Sequence, residues 1–165
     1  MTLAFTVYGA ALPKGNHTAL LLKGMKHPII TESNRNVKGW QQLVAAEASH
    51  ALNQIPAAER RLLEFGVRLT LAFYLPRPKK HAKRGVFVPH TNKPDLDRLM
   101  RAVLDALTQV LYHDDKQVTE AIVGKYFADV DDAAHVNIRV EPAPGQPLVA
   151  QPSTRPLFEL LGATP

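Results

Sequence analysis

The chain has 165 residues, of which 45% are hydrophobic and 21% are charged, and this composition fits a single globular domain with a sizeable core. It contains no cysteine, which excludes disulfides, thiolate metal sites and cysteine nucleophiles, so any metal ion must be held by oxygen or imidazole. No apolar run is long enough to cross a bilayer, and the first residues lack the basic start of a secretory signal. We therefore expect a cytoplasmic protein without membrane contact.

Charge is distributed unevenly along the chain. Twenty Lys and Arg residues stand against fifteen Asp and Glu residues, which gives a net charge of +5. Five of the acidic residues fall within one stretch of 21 residues, namely Asp95, Asp97, Asp105, Asp114 and Asp115. Without these five, twenty basic residues stand against ten acidic ones, a balance of +10. A basic surface with grouped carboxylates is typical of metal-dependent enzymes that act on nucleic acid, although proteins also reach such a charge by chance.

The first half of the chain reads as strand, helix, strand. Residues 3–9 partly alternate in polarity, as an edge strand does, and a Pro/Gly loop follows them. Residues 36–53 place Trp40 and several aliphatic residues at three- and four-residue steps, which predicts a helix. Residues 65–75 alternate and end at a proline, which predicts a long strand.

A basic run follows this strand. Between positions 77 and 84 the chain has no acidic residue and five Lys or Arg residues: Arg77, Lys79, Lys80, Lys83 and Arg84. The run has no hydrophobic periodicity, so we predict a loop that grips phosphates, with plain solvated surface as the alternative.

The clearest helical pattern covers residues 95–111. Projected at 100° per residue, one arc is aliphatic and the opposite arc, of about 120°, is polar. The polar arc consists of Asp97, Arg98, Arg101, Asp105, Thr108 and Gln109. Pro94 precedes the pattern, and Asp95 is placed to cap its first turn. One face of this helix is therefore available for the core and the other for chemistry.

The second half of the chain adds two predicted strands, at 117–127 and 135–140. Six of the 13 prolines lie after residue 141. We therefore expect one small α/β (α+β) domain at 1–141, in which a mixed β-sheet packs with two main helices, and a flexible Pro-rich tail at 142–165.

Two acidic pairs bracket the amphipathic helix. Asp95 and Asp97 stand at its start, and Asp114 and Asp115 follow its end. If the chain turns at His113 and returns along the helix, the pairs meet, and two to four carboxylates suffice for Mg²⁺ because this ion keeps several waters. Each pair also has a plain structural explanation, as a helix cap, an acid favoured by the helix dipole, or a turn.

Three other polar residues have expected structural roles. Asp105 is predicted to be a salt-bridge partner of Arg101 or Arg98 rather than a ligand. His90 and His113 are expected to be bystanders or phosphate contacts, because the seven histidines show no His-x-x-x-His ligand spacing.

The segments 93–108 and 114–118 together resemble the signature of the RusA family, the Holliday junction resolvases of bacteria and their phages. The shared features are a basic-Pro-Asp-x-Asp helix start, then Asp-Ala-Leu, then an Asp-Asp-x-Gln-Val turn into a strand. Weaker similarity covers residues 3–140 and includes Gly9, Pro13-Lys14-Gly15 and the helix of Trp40.

The resemblance implies that Asp95, Asp97 and Asp115 are catalytic metal ligands, with Asp114 beside them as a further ligand. The lysine that the family has one turn beyond the second aspartate is Arg101 here. An arginine binds a phosphate well but cannot transfer a proton, so a proton-transfer role at this position would not be preserved.

Basic side chains are expected to contact DNA. The candidates are Lys14, Arg77, Lys79, Lys80, Lys83, Arg84, Lys93, Arg98 and Lys125. Arg98 replaces the asparagine that is usual in the family, and Lys125 matches a basic position in relatives.

The reaction implied by the resemblance is Mg²⁺-assisted hydrolysis of a DNA phosphodiester, with Mn²⁺ as a substitute cofactor. The implied substrate is branched DNA, a four-way junction nicked at symmetrical positions during recombination and repair. One set of carboxylates cannot cut two strands at once, so this reaction implies a twofold homodimer. We expect the protein to act at the bacterial nucleoid.

Two alternatives stay open. Pro94-Asp95 followed by Asp114-Asp115-Lys116 also fits a Pro-Asp…(Asp/Glu)-x-Lys nuclease pattern, but that pattern places its acids on adjacent strands, and a helix separates them here. The second alternative is a non-catalytic module that binds DNA junctions, favoured by the arginines at positions 98 and 101, which depart from the family pattern.

Overall fold

The computed structural model describes residues 1–15, 17–20, 29–32, 34, 36–78, 89–129 and 131–145. Its elements in chain order are β1 (Leu3–Tyr8), β2 (His17–Leu20), β3 (Ile29–Glu32), α1 (Val37–Asn53), β4 (Val67–Leu75), α2 (Leu96–Leu107), β5 (Val118–Phe127) and β6 (His135–Pro142). A 3₁₀ turn at Asp115–Gln117 precedes β5. Both predicted helices and all four predicted strands are confirmed, whereas the β2–β3 hairpin was not predicted.

Four strands form a mixed sheet in the order β1, β6, β4, β5. The central strand β4 and the edge strand β5 are parallel, and α2 lies in the connection between them. β6 is antiparallel to both of its neighbours, β4 and β1. This is the small α+β domain expected from the sequence, and β1 lies at the sheet edge, as its polarity predicted.

The core lies between one face of the sheet and the two helices. α1 packs against β1 and α2, and α2 packs against β5. Every second residue of β4 is buried, and so are five residues of α2: Leu99, Ala102, Val103, Ala106 and Leu107. Burial of each large aliphatic side chain contributes about 1.5–3 kcal/mol. The amphipathic pattern of α2 therefore directs its apolar face inward and leaves Asp97 and Arg101 exposed.

α2 ends at Leu107, four residues earlier than predicted. The carbonyl of Leu104 accepts hydrogen bonds from the Thr108 N–H at 3.2 Å, the Thr108 hydroxyl at 3.0 Å and the Tyr112 hydroxyl at 3.0 Å. Gln109 then adopts a left-handed conformation with φ 63°, a usual way for a helix to end. Leu111 continues the apolar periodicity but is buried by the following turn, so periodicity alone overestimated the helix.

The sheet face opposite the helices has a row of aromatic rings. Tyr8, His135, Tyr74 and Tyr126 are register partners across the four strands. His135 stacks on Tyr74 with 4.5 Å between ring centroids, Tyr8 lies 5.9 Å from His135, and Tyr126 lies 5.7 Å from Tyr74. Such cross-strand ring contacts stabilise this end of the sheet.

The described residues pass the predicted domain boundary but leave out most of the predicted tail and of the basic run. The sheet extends beyond the boundary predicted at residue 141, because β6 includes Pro142 and the buried Ala143 donates its N–H to the Gly66 carbonyl at 2.8 Å. Residues 146–165 of the predicted tail and residues 79–84 of the basic run lie outside the described residues. Within the described part of the chain, no helix is long and apolar enough to cross a membrane.

Candidate active site

The first acidic pair lies in the first turn of α2. Asp95 is the N-cap residue, with φ −70° and ψ 141°, and Asp97 follows in the helix. Both side chains are exposed. Asp95 has the predicted capping position, but its side chain makes no capping hydrogen bond, and its Oδ2 lies 3.4 Å from Arg98 Nε instead. Acidic side chains at this end of a helix interact favourably with the helix dipole.

β5 runs back along α2 and brings Lys125 to the helix start. Lys125 Nζ donates to the Asn92 carbonyl at 2.7 Å and to the Pro94 carbonyl at 2.6 Å. The His90 N–H donates to the Lys125 carbonyl at 3.0 Å. These three hydrogen bonds hold the segment that leads into Asp95. Sequence reasoning missed this role because the bonded residues are about thirty positions apart and no local pattern connects them.

The second acidic pair follows the other end of α2, whose twelve residues span about 18 Å. Asp114 Oδ1 accepts the Lys116 N–H at 3.0 Å, and its Oδ2 lies 3.1 Å from Lys116 Nζ. The backbone hydrogen bond from Lys116 and then its ammonium group lower the pKa of Asp114. Asp114 therefore has a structural role in the turn, while Asp115 is exposed at the start of the 3₁₀ segment.

Gln117 holds this turn together. Its Oε1 accepts the N–H groups of His113 at 2.8 Å and Asp114 at 3.0 Å, and its Nε2 donates to the Leu63 carbonyl at 2.8 Å. Together with the Asp114 side chain this makes a capping box. Its signal is present in the sequence as Asp-x-x-Gln, the spacing of reciprocal caps.

Asp105 forms its salt bridge with Lys14, so the prediction of Arg101 or Arg98 as its partner is wrong. Gln41 Nε2 also lies 3.4 Å from Asp105 Oδ2. The structural role expected for Asp105 is confirmed, but helix periodicity can indicate partners only on the same helix, and Lys14 is 91 positions away. Because the Lys14 N–H also donates to the Arg98 carbonyl at 3.1 Å, the loop after β1 is tied to α2.

Three of the predicted basic residues lie near the first acidic pair. Lys93 is exposed two residues before Asp95, Arg98 pairs with Asp95, and Arg101 is exposed one turn beyond Asp97. The start of α2 thus combines two carboxylates with several cations.

Other predicted basic residues lie elsewhere. Arg77 Nε donates to the Ala128 carbonyl at 2.7 Å, beside the turn between β5 and β6, and Lys14 is engaged with Asp105. The remaining ones lie outside the described residues: Lys79, Lys80, Lys83 and Arg84.

His90 is packed rather than presented to solvent. Its ring lies 4.4 Å from that of Phe127, centroid to centroid, and its Nδ1 lies 3.1 Å from the Asn92 carbonyl oxygen. Burial first, and the charge of Lys125 second, lower the pKa of His90. The ring therefore stays neutral near pH 7, which matches the bystander role among the two that were expected.

The donor set at the start of α2 is chemically suited to Mg²⁺. This ion takes carboxylate oxygens and keeps several waters, so the exposed pair Asp95 and Asp97 fits a site of partial protein ligation. No group of three or more His, Asp or Glu side chains is placed to hold a metal ion among the residues that the structure describes. One chain thus does not bring all four predicted ligands into one cluster there.

This chain resembles a known protein and matches a known family. It is 27% identical over 134 residues to "Uncharacterized protein YqaN" of Bacillus subtilis (strain 168), in an alignment that covers 76% of this chain and 87% of that protein. The model of the family described as "Endodeoxyribonuclease RusA" matches residues 12–141, which contain both acidic pairs and most of the sheet. With its mixed sheet, its acidic helix start and this match, the chain belongs to the RusA family of endodeoxyribonucleases, which are Holliday junction resolvases.

Proposed function

We propose that the protein resolves four-way DNA junctions as a homodimer, by paired symmetrical nicks that require Mg²⁺, with Mn²⁺ as a substitute. Family membership supports the class of reaction. The observation that carries the site is the exposed pair of carboxylates, Asp95 and Asp97, at the start of α2 with cations beside them. A polyanionic substrate is attracted by such cations, and a divalent ion by the carboxylates.

Asp95 and Asp97 are the proposed primary ligands. The family resemblance implies Asp115 and Asp114 as further ligands, but within one chain they follow the other end of α2, so the start of the helix offers the ion two carboxylates. When bound, Mg²⁺ supplies a water of lowered pKa and positive charge beside the phosphate. Arg101, exposed on the same face as Asp97, is proposed to bind the scissile phosphate.

The neighbouring side chains position Asp95 before DNA arrives. Arg98 holds Asp95 through the 3.4 Å contact, and Lys125 holds the preceding segment through two carbonyls. A preformed arrangement lowers the cost of binding and of reaching the reactive geometry.

The predicted basic residues other than those described at the start of α2 are proposed to bind the arms of the junction. They are Lys14, Arg77, Lys79, Lys80, Lys83 and Arg84. Each phosphate contact releases counterions, so the slope of log affinity against log salt measures how many such contacts form. A nearly flat slope would contradict this role. Action on chromosomal or prophage DNA also implies a place at the nucleoid.

Asp97→Asn tests the reaction, because it keeps the shape of the side chain and removes its charge. We expect cleavage of a synthetic four-way junction to fall by at least about 100-fold, since a proposed ligand of the ion that stabilises transition-state charge is lost. Junction binding without Mg²⁺ should persist. Asp132→Asn changes an exposed aspartate in the turn before β6 and is the matched control, expected to cleave like the wild type.

The same assay separates the alternatives. Equal cutting of linear duplex and junction would favour another nuclease class. Tight junction binding by the wild type without any cleavage would favour the non-catalytic module, which stays the second candidate because the described residues contain no three-carboxylate cluster. A mass of one chain by light scattering would contradict the homodimer.

A further inference from the structure

A cleft of about 450 Å³ opens beside Asp95, between the loop after β1 and the start of α2. Four apolar residues, Ala11, Leu12, Pro13 and Pro94, form most of its lining. Its charged lining consists of Lys93, Asp95 and Arg98. The cleft therefore joins an apolar surface without side-chain donors to two cations and a proposed metal ligand.

Both walls of the cleft are held in place. On the loop side, the Lys14 N–H donates to the Arg98 carbonyl at 3.1 Å, and Asn34 Nδ2 donates to the Pro13 carbonyl at 2.9 Å. On the helix side, Lys125 Nζ holds the carbonyls of Asn92 and Pro94. A cleft with fixed walls is present before its ligand binds, as small-ligand sites usually are.

The chemistry of the lining selects the ligand. An apolar floor suits the face of a nucleobase, and the ammonium of Lys93 and the guanidinium of Arg98 suit a phosphate. The volume lies in the range of sites for single small ligands, so it has room for one nucleotide and not for a duplex. In a duplex the base faces are covered by stacking, so only an unstacked nucleotide offers its base to such a floor.

We propose that this cleft receives one unstacked nucleotide adjacent to the scissile phosphate, with its base on the apolar floor and its phosphate at Lys93 and Arg98. The proposal rests on the proposed function and extends it, because a cleft that takes a single base next to Asp95 makes cleavage depend on the presence of a base at that position. A branch point is the part of a junction where unstacking costs least. The cleft would thus also favour branched over linear DNA.

The first test uses the wild-type protein and junctions in which one abasic residue is moved through the positions flanking the cut. An abasic residue at the position that enters the cleft should lower the cleavage rate about tenfold or more, the usual effect of losing one apolar group from a site. Rates that stay within about twofold at every position would overturn the proposal. Failure to cleave any junction would instead contradict the proposed function.

The second test fills the cleft. Leu12→Trp should cleave intact and abasic junctions at the same reduced rate, because the base no longer enters. Ile122→Trp places the same side chain on the open sheet face, where Ile122 is 61% exposed, and should keep the wild-type discrimination. If Leu12→Trp still cleaved intact junctions faster than abasic ones, the proposal would be overturned. A change of that variant from dimer to monomer would also overturn it, because the cleft would then seat a second copy of the chain.

A binding measurement keeps the cleft testable apart from cleavage. With 2-aminopurine at the same position and no Mg²⁺ present, fluorescence should rise when the wild type or Ile122→Trp binds, since the base leaves its stack. It should not rise with Leu12→Trp. An equal rise with all three proteins would show that unstacking does not involve the cleft.

Discussion

Arg101 is one of two residues, with Arg98, at which the chain departs from the family signature close to the proposed chemistry. It is exposed on the polar face of α2, one turn beyond Asp97, where the family signature described above has a lysine. A guanidinium stays charged at all working pH values and grips a phosphate by two donors, but it cannot act as an acid or base. Its presence favours an electrostatic role for this position.

Two substitutions test that role. Arg101→Lys should keep most of the cleavage rate, and Arg101→Ala should lose about 100-fold, because positive charge at the phosphate is removed. Rates measured from pH 6 to pH 9 should have the same profile for the wild type and Arg101→Lys, with exposed Arg61→Ala as the neutral control. A new pH-dependent limb together with a faster rate in Arg101→Lys would indicate proton transfer and contradict the electrostatic role.

Tyr112 links the helix end to stability at high pH. It is fully buried and donates its hydroxyl to the Leu104 carbonyl at 3.0 Å. Burial raises the pKa of Tyr112 well above its usual range, and the charges of Asp115 and Asp105 add to the effect. The folded state therefore keeps the proton where the unfolded state releases it. This contribution is complete below about pH 10, the pKa of an unfolded tyrosine, and is lost as the pH rises above it.

Tyr112→Phe should cost about 1 kcal/mol of unfolding free energy at pH 7, from the lost hydrogen bond. It should also lose less stability than the wild type between pH 7 and pH 10.5, because the titrating group is gone. Urea unfolding at the two pH values measures both effects. Parallel losses in the two proteins would contradict the role of Tyr112.

At the scale of elements, β5 depends on a glycine beneath an aromatic ring. A Cβ at Gly124 would lie 2.6 Å from Tyr126 Cζ and 2.7 Å from its Cε2 and would also collide with its hydroxyl. The ring of Tyr126 therefore lies along its own strand over Gly124, within the aromatic row. No propensity scale predicts this, because glycine in a strand is usually unfavourable.

Gly124→Ala should destabilise the protein by about 1–3 kcal/mol, the usual cost of overpacking. Adding Tyr126→Ala should remove part of that cost, so the double variant should lose less than the sum of the single losses. Urea unfolding measures the cycle. Gly39→Ala is the control, because a Cβ there meets open space in α1 and should raise stability by about 0.5–1 kcal/mol. Additive losses for Gly124 and Tyr126 would show that the ring does not need the glycine.

Element positions were largely predictable, and their ends less so. The strand at β4 and the helix at α1 have periodicities that hold over their whole length, so local pattern sufficed. The end of α2 depended on Tyr112, whose hydroxyl competes for the Leu104 carbonyl after the chain has turned. Such a contact is formed by the turn itself and is invisible to a projection of the helix.

At the scale of the whole molecule, the contacts of the sheet determine which C-terminal residues the fold requires. Val67 pairs with Pro142, and Ala143 is buried with its N–H bonded to Gly66. Removal of residues 146–165 should leave junction cleavage and the dimer unchanged. Removal from residue 142 onward should lower the unfolding free energy by about 1–2 kcal/mol, because a buried hydrogen bond and its neighbours are lost. Light scattering, cleavage assays and urea unfolding of both truncations test this, and a monomeric 1–145 chain would contradict it.

The sequence by itself determined the elements, the amphipathic face of α2 and the family signature, because all three are written in residues close together along the chain. Tertiary structure decided which charges meet: Lys14 with Asp105, and Lys125 with the carbonyls before Asp95. It also placed the second acidic pair beyond the far end of α2 and formed the cleft beside the first pair. These features depend on how β5 returns along α2 and on how the loop after β1 packs against α2. Contacts between residues many tens of positions apart leave no periodic pattern in a single sequence, so the sequence did not predict them.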